Sequence, residues 1–272
     1  MLEEQRKLSH TSYSEREPKI SFFTCIRNEA KNLPALLKDV GNVVDEIIVI
    51  DNESTDGSVE IAKRYGAKIY TMKPLGFVEP CRMYAISKIT HSWFLYLDAD
   101  ERLNAELKRD LRKIVRESDA RGIAGIAVNI KYFVKPKICL NHYTDFNPNF
   151  RVRIARKDKT FFSTRIHTDP VIKGRILRLD PEKYFIKHLA FNHFNLSREA
   201  IEKHVRYAKI AAEQRRDGIR DIFFLTALPI TIALRLFKEL FLKKAALEGP
   251  IGFKLALTRI LYLSLIDMFK VL

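Results

Sequence analysis

Cysteine is scarce in this chain. The three present, Cys25, Cys81 and Cys139, lie far apart and form no CxxC pair, so neither a disulfide framework nor a zinc ribbon is expected, and a reducing compartment fits best. Long apolar runs are missing as well: the best stretch, Ile222 to Leu234, contains Pro229 and stops at Arg235, so no bilayer-spanning helix is expected. The opening MLEEQRKLSHTSYSEREPK lacks the apolar core of a secretory signal and reads as a solvated tail over residues 1–18. No internal repeat or low-complexity tract is visible, and the segment FTCIRNEAKN contains no glycine.

With 272 residues and 47% hydrophobic composition, the chain has enough apolar material for a full core in one large domain, or in one domain with an appendage. Its formal charge of +15 is unevenly placed: residues 1–150 hold 23 Lys/Arg against 21 Asp/Glu, and residues 151–272 hold 25 against 12. That asymmetry points to an anionic partner for the C-terminal part, and charge alone does not choose among phosphate groups, anionic lipid and nucleic acid.

From Ile20 onward, short runs rich in β-branched residues alternate with helical spacing, the pattern of a parallel sheet flanked by helices. ISFFTCI, EIIVI, AKIYTM and WFLYLDAD read as strands. Helices are expected from Asn32/Pro34, after NESTDGS as far as Tyr65, and over Glu79 to Lys88. A further helix follows over Asn104 to Ser118, then strands in GIAGIAVNIKYFV and NFRVRIARKD, and a helix from Ser197 to about Arg216. Ligands of open α/β sheets gather beyond the carboxyl ends of the strands. The residues there are Arg27 to Glu29, Asp51 to Asp56 and Asp98 to Glu101, all polar sets, the last two rich in carboxylates.

The sharpest signal is Asp98-Ala99-Asp100. Two carboxylates at i and i+2 after an apolar strand suit one hard divalent cation, which would neutralise a diphosphate as a leaving group. Taken as a bare pattern it also reads as a solvated strand-end turn. Asp51 sits where a nucleoside could lie across the sheet edge, and equally where a turn former belongs, because Asn52, Ser54, Thr55 and Asp56 are turn residues.

The ordered segments CIRNEAKNLPALL, DEIIVIDNESTDGSVEIAKRYGAKIY, CRMYAI and WFLYLDADERL resemble those of a family 2 glycosyltransferase over about residues 20 to 118. The stretch from about 147 to 272, with its FRVRIAR strand, Ile-His-acid loop and closing amphipathic region, more loosely resembles the lipopolysaccharide core glucosyltransferase-like branch. The resemblance implies a GT-A fold, a Rossmann-like mixed α/β sheet with flanking helices over 19–216, followed by apolar and amphipathic helices over 217–272. It also implies a nucleotide-diphosphate sugar donor and a divalent cation, Mn²⁺ or Mg²⁺. Thr24, Asn28 and Glu29 match the motif beside the nucleoside, Asp51 the acid at the base, and Asp98 and Asp100 the metal and diphosphate motif. Arg82 falls where a cation meets the diphosphate, although Met83 stands in place of the usual Asn; an exposed helix cation is its plainer reading.

Inversion at an anomeric carbon needs a carboxylate to take the acceptor hydroxyl's proton. The branch shows a Val-His-Glu loop, whereas this chain reads Ile166-His167-Thr168-Asp169. Asp169 would be the base after a one-residue offset, with His167 near metal or diphosphate, and Glu101 is the alternative base. His188, His193 and His204 match no compact zinc spacing and read as core or surface histidines. Arg151, Arg153, Arg156, Lys157 and Lys159 form a basic stripe, either solvated or facing a phosphorylated or lipid-linked acceptor.

FFLTALPITIALRLFKELFLKK is too apolar for a partly exposed helix and too interrupted for a span. Its Lys/Arg flanks suit the cytoplasmic face of a membrane, and the competing explanation is a homo-oligomer interface. No Gln-x-x-Arg-Trp motif is present, which argues for non-processive transfer, and a lipid-linked or glycan acceptor is expected. A sugar nucleotidylyltransferase is the second enzyme reading, weakened by the missing glycine-rich loop. A basic nucleic-acid-binding protein is the third, weakened because the aromatics do not share a basic face.

Overall fold

The computed structural model describes residues 17–135, 138–142, 148–189, 198–214 and 228–271. The chain opens as β1 (Ile20–Ile26), α1 (Leu33–Val40), β2 (Glu46–Asp51), α2 (Ser58–Arg64), β3 (Lys68–Thr71), α3 (Glu79–Lys88) and β4 (Trp93–Tyr96). These four strands are mutually parallel in the order β3-β2-β1-β4. Alternation along β1 feeds two cores: Ile20, Phe22 and Ile26 pack against Leu33, Leu36, Leu37 and Val40 of α1, while Phe23 joins Ile48, Phe94, Cys81 and Ala85 on the other face. Burial on both faces explains why these strands read as continuous apolar runs.

Past β4 the sheet becomes mixed. A short β5 (Glu101–Leu103) leads to α4 (Ala105–Ala120), the long β6 (Ile123–Lys135), β7 (Ile138–Cys139) and β8 (Phe150–Arg156). Small strands β9 (Thr160–Phe161), β10 (Val171–Ile172), β11 (Arg175–Arg178) and β12 (Phe185–His188) follow. The main path continues from β4 through β8, β6 and β12 to β5, with antiparallel pairing at β4–β8, β8–β6 and β12–β5. Asn104 caps α4 by accepting from the Leu107 amide at 3.2 Å, and it also accepts from the Phe185 amide at 3.2 Å, so one side chain ties the helix start to β12.

The described C-terminal part consists of α5 (Arg198–Gln214), α6 (Leu228–Phe237), a π-helical turn at Lys238–Leu242, a 3-10 turn at Ala245–Glu248 and α7 (Gly249–Val271). The chain breaks between the 3-10 turn and α7 at Glu248-Gly249-Pro250, with Gly249 at φ 62. Ile166, Ala208, Ala211 and Ile266 share one buried cluster, so α5 and α7 pack together beneath the loop that carries His167. No helix of the described residues is long and apolar enough to cross a membrane. The tail over residues 1–16, His193, and residues 217–227 of the closing segment lie outside the described residues.

One expectation is corrected. Cys25 on β1 and Cys81 on α3 are joined as a disulfide, with Cα atoms 6.3 Å apart, and Cys139 is free. Fifty-six residues separate the pair along the chain, and only the packing of α3 on the sheet brings them together.

Candidate active site

Three loops meet at the carboxyl ends of β1, β2 and β4. Asn28 (φ 57) and Glu53 (φ 57) hold left-handed backbone conformations there. The Asn28 amide donates to Ser54 Oγ at 2.9 Å, and its Oδ1 accepts from the Thr55 amide at 2.8 Å. The Glu29 amide donates to Ser58 Oγ and the Ala30 amide to Asp56 Oδ2, each at 2.9 Å. The polar run after β2 is thereby stitched to the loop after β1. Asp51 is buried and accepts from the Ser54 amide at 3.2 Å, Thr24 is buried in β1 below, and burial pushes the Glu29 carboxyl up.

The turn after β4 is built around its acids. The Asp98 amide donates to Glu101 Oε2 at 3.0 Å and the Glu101 amide donates to the Asp98 carbonyl at 2.9 Å, which closes a tight loop. Arg82 Nη2 reaches Asp98 Oδ1 at 2.7 Å from α3. Arg153 Nη2, from β8, stands 3.6 Å from Asp98 Oδ2 and 2.5 Å from Glu101 Oε1. Both guanidiniums lie over the buried Tyr96 ring, at 5.3 and 4.7 Å from its centre. Burial alone would push the Asp98 carboxyl up, but the two arginines outweigh it and hold it at about 2. Glu101, fully buried, moves the other way because desolvation dominates.

Asp100 faces a different neighbour. Its Oδ2 lies 3.2 Å from His188 Nε2, and its carbonyl accepts from the Leu189 amide at 2.8 Å, so β12 grips it through side chain and backbone. Burial lowers the His188 imidazole, and the hydrogen bond and charge of Asp100 more than reverse that.

On the far side, the His167 amide donates to the buried Glu79 carboxylate at 2.7 Å, and His167 Nε2 is 2.7 Å from the Tyr262 hydroxyl of α7. His167 is also left-handed, at φ 58. Asp169 is exposed and paired with Arg151.

The structure thus brings Arg82 to Asp98, and Asn28, Glu29 and Asp51 to one edge. It does not bring His167 to the aspartates, and among the described residues no group of three or more His, Cys, Asp or Glu side chains is gathered to hold a metal ion. The expected trio of Asp98, Asp100 and His167 is therefore not assembled; the loop turns the imidazole toward Tyr262 instead. Two carboxylates do still suit a hard cation whose remaining ligands are diphosphate oxygens and water, a donor set natural for Mg²⁺. Nor is Glu101 placed as an accessible base, since its carboxylate is closed inside the Arg153 pair and the turn. The basic stripe divides: Arg153 enters the site, Arg156 binds Asp119 and Asp158, and Lys157 caps the Ile89 carbonyl.

The sequence reading did not place Arg153, His188, Glu79 or Tyr262 at this site: it put Arg153 in the basic stripe, read His188 as a core or surface histidine and passed over Glu79 and Tyr262. For Arg153 a signal existed, because a charged residue two positions from the apolar Ala155 on a central strand calls for a buried partner. Nothing comparable marks the others.

An open α/β sheet with polar loops at its parallel strand ends, the last an Asp-x-Asp turn, belongs to the class of sheets that bind nucleotides beyond their strand ends. The profile of glycosyl transferase family 2 matches residues 21–184, more than half of the chain, and the chain belongs to that family: it is a glycosyltransferase using a nucleotide-sugar donor. It is 26% identical over 246 residues to an uncharacterized glycosyltransferase of Rickettsia felis, covering 86% of this chain and 83% of that one. It is 27% identical over 247 residues to the lipopolysaccharide core biosynthesis glycosyltransferase LpsC of Rhizobium meliloti, covering 85% of each. Among solved structures, residues 1–349 of S. aureus TarS superpose with a TM-score of 0.51 at 15% identity, covering 92% of this chain and 90% of that chain, which bears out the GT-A fold.

Proposed function

We propose that the protein is an inverting, non-processive hexosyltransferase that moves a sugar from a nucleotide diphosphate to a hydroxyl of a membrane-linked glycan or lipid, working at a membrane surface. The observation that carries the donor half is the pairing of Asp98 with Arg82 at the end of β4, beside Asp100. It supports a diphosphate site in which fixed positive charge and a carboxylate turn share one cleft. The nucleoside lies across the stitched loops, with Asn28, Glu29 and Asp51 at its edge and Thr24 beneath.

Asp98 and Asp100 would hold Mg²⁺ or Mn²⁺. When bound, that ion supplies charge neutralisation to the departing diphosphate. Arg82 orients the diphosphate from the helix side, and His188 keeps Asp100 turned into the cleft. Asp169 takes the acceptor hydroxyl's proton on the face opposite the leaving group. Glu101 anchors the turn. The membrane-linked acceptor is supported by the basic C-terminal part and by the likeness to a lipopolysaccharide core enzyme.

The deciding experiment offers the purified chain a panel of nucleotide sugars with and without Mn²⁺, reading thermal stabilisation and donor hydrolysis. One donor should stabilise the fold and be consumed only with the cation. A panel in which no nucleotide sugar binds would sink the reading.

A further inference from the structure

Residues 228–271 carry seven Lys/Arg against three Asp/Glu, and the structure spends all three acids internally. Glu239 is 3% exposed and meets Lys243 Nζ at 2.8 Å and Arg259 Nε at 3.2 Å. Asp267 holds Arg235 Nη2 at 2.5 Å. Glu248 accepts the amides of Asn141 and His142 at 2.7 and 2.5 Å. Lys238, Lys244, Lys254 and Lys270 keep no carboxylate partner among the described residues.

The same segment exposes large apolar side chains in register. Ile230, Leu234, Phe237 and Phe241 follow at i, i+4, i+7 and i+11, each more than half exposed, along α6 and its π turn. Phe253, Leu257 and Leu261 follow at i, i+4 and i+8 along α7. Each spacing keeps its residues on one stripe. The pairs Arg235–Asp267 and Glu239–Arg259 fasten the two helices antiparallel, so the stripes belong to one hairpin.

We propose that the α6–α7 hairpin docks on a bilayer bearing anionic lipid headgroups, lying in the interface with its leucines and phenylalanines in the acyl boundary and its unpaired lysines among the headgroups. Charge decides against a second copy of the chain. Two such faces would set lysines against lysines with no free carboxylate to relieve them, whereas an anionic surface complements every one. The hairpin also touches the acceptor side of the cleft, because α7 carries Tyr262, whose hydroxyl meets His167 two residues before Asp169. Docking would hold that loop where a lipid-borne hydroxyl arrives. In this last respect the inference rests on the proposed acceptor; the docking itself does not.

The test is flotation of the full chain with phosphatidylcholine vesicles, with and without phosphatidylglycerol. The chain should rise with the anionic vesicles and bind neutral ones, or anionic ones in high salt, at least about tenfold less. Lys238→Glu with Lys244→Glu, and separately Leu257→Ser with Leu261→Ser, should each lower vesicle binding by about tenfold or more while melting unchanged. Absence of binding to anionic vesicles would overturn the proposal, as would variants that float like the parent. So would sedimentation velocity showing a dimer that the leucine variant dissociates, with vesicles ignored. Donor hydrolysis measured without vesicles keeps the readings apart, since its failure bears on the transferase site and flotation bears on the hairpin.

Discussion

Arg153 places one guanidinium nitrogen 2.5 Å from Glu101 Oε1 and 3.6 Å from Asp98 Oδ2, so a cation from β8 fastens the acidic turn that closes β4. The pair is buried, with side-chain exposures of 9% and 1%, and removing Glu101 leaves the buried Arg153 with only the longer contact to Asp98. Glu101→Ala should therefore cost on the order of 3 kcal/mol of stability, read by urea unfolding. A loss below about 0.5 kcal/mol, the range of an ordinary surface change, would contradict the anchoring role.

Asp169 gives the opposite signature. Exposed and in a surface pair, it should leave the unfolding midpoint nearly unchanged when replaced by Asn, and lower kcat by about 10²–10⁴-fold with donor KM little altered. An Asp169→Asn enzyme with full kcat would remove it as the base.

Asp100→Ala is expected to abolish cation-dependent donor turnover, by about 100-fold or more, and to weaken Mn²⁺ binding measured by titration calorimetry. Chelation of the parent enzyme should reproduce the loss, and added Mn²⁺ should restore it. Equal Mn²⁺ affinity in parent and variant would show that the ion binds elsewhere.

Glu46 provides a pH test remote from the site. Burial would raise its carboxyl, yet Lys68 at 2.8 Å, Ser21 Oγ at 2.6 Å and the Thr90 amide at 2.9 Å outweigh it and hold it at about 2. Because the folded value lies below the unfolded one, near 4.3, its contribution is full above that pH and fades as pH falls toward 2. Glu46→Gln should cost roughly 2 kcal/mol at pH 7, with the gap to the parent shrinking below about pH 4. A gap independent of pH would mean that charge is not what Glu46 contributes.

The cysteine pairing is checked by intact mass after alkylation in denaturant. Without reductant one cysteine, Cys139, should react, and after reduction all three. Three reactive thiols before reduction would refute the bond.

Strand and helix order through α4 was legible because each apolar run on a doubly covered sheet advertises its burial, and because Asn104 and the turn residues after β2 bear their roles locally. Asp98 and Asp100 were legible for the same reason, as carboxylates two residues apart at a strand end. The direction of His167 was not legible, because a left-handed backbone and a tyrosine ninety-five residues onward set it, and neither leaves a trace in local spacing.

By itself, then, the amino-acid order determined the parallel half of the sheet, its cleft edge and the Asp-x-Asp turn, since propensity, period and turn chemistry act between near neighbours. Only the folded chain decided that Cys25 meets Cys81, that Arg153 rather than a loop cation braces Glu101, that His188 grips Asp100, and that the last acids turn inward and leave lysines outside. Those partners are chosen by strand order and helix packing, which join residues far apart in the chain, and pairing over such distances follows from which faces must be buried together.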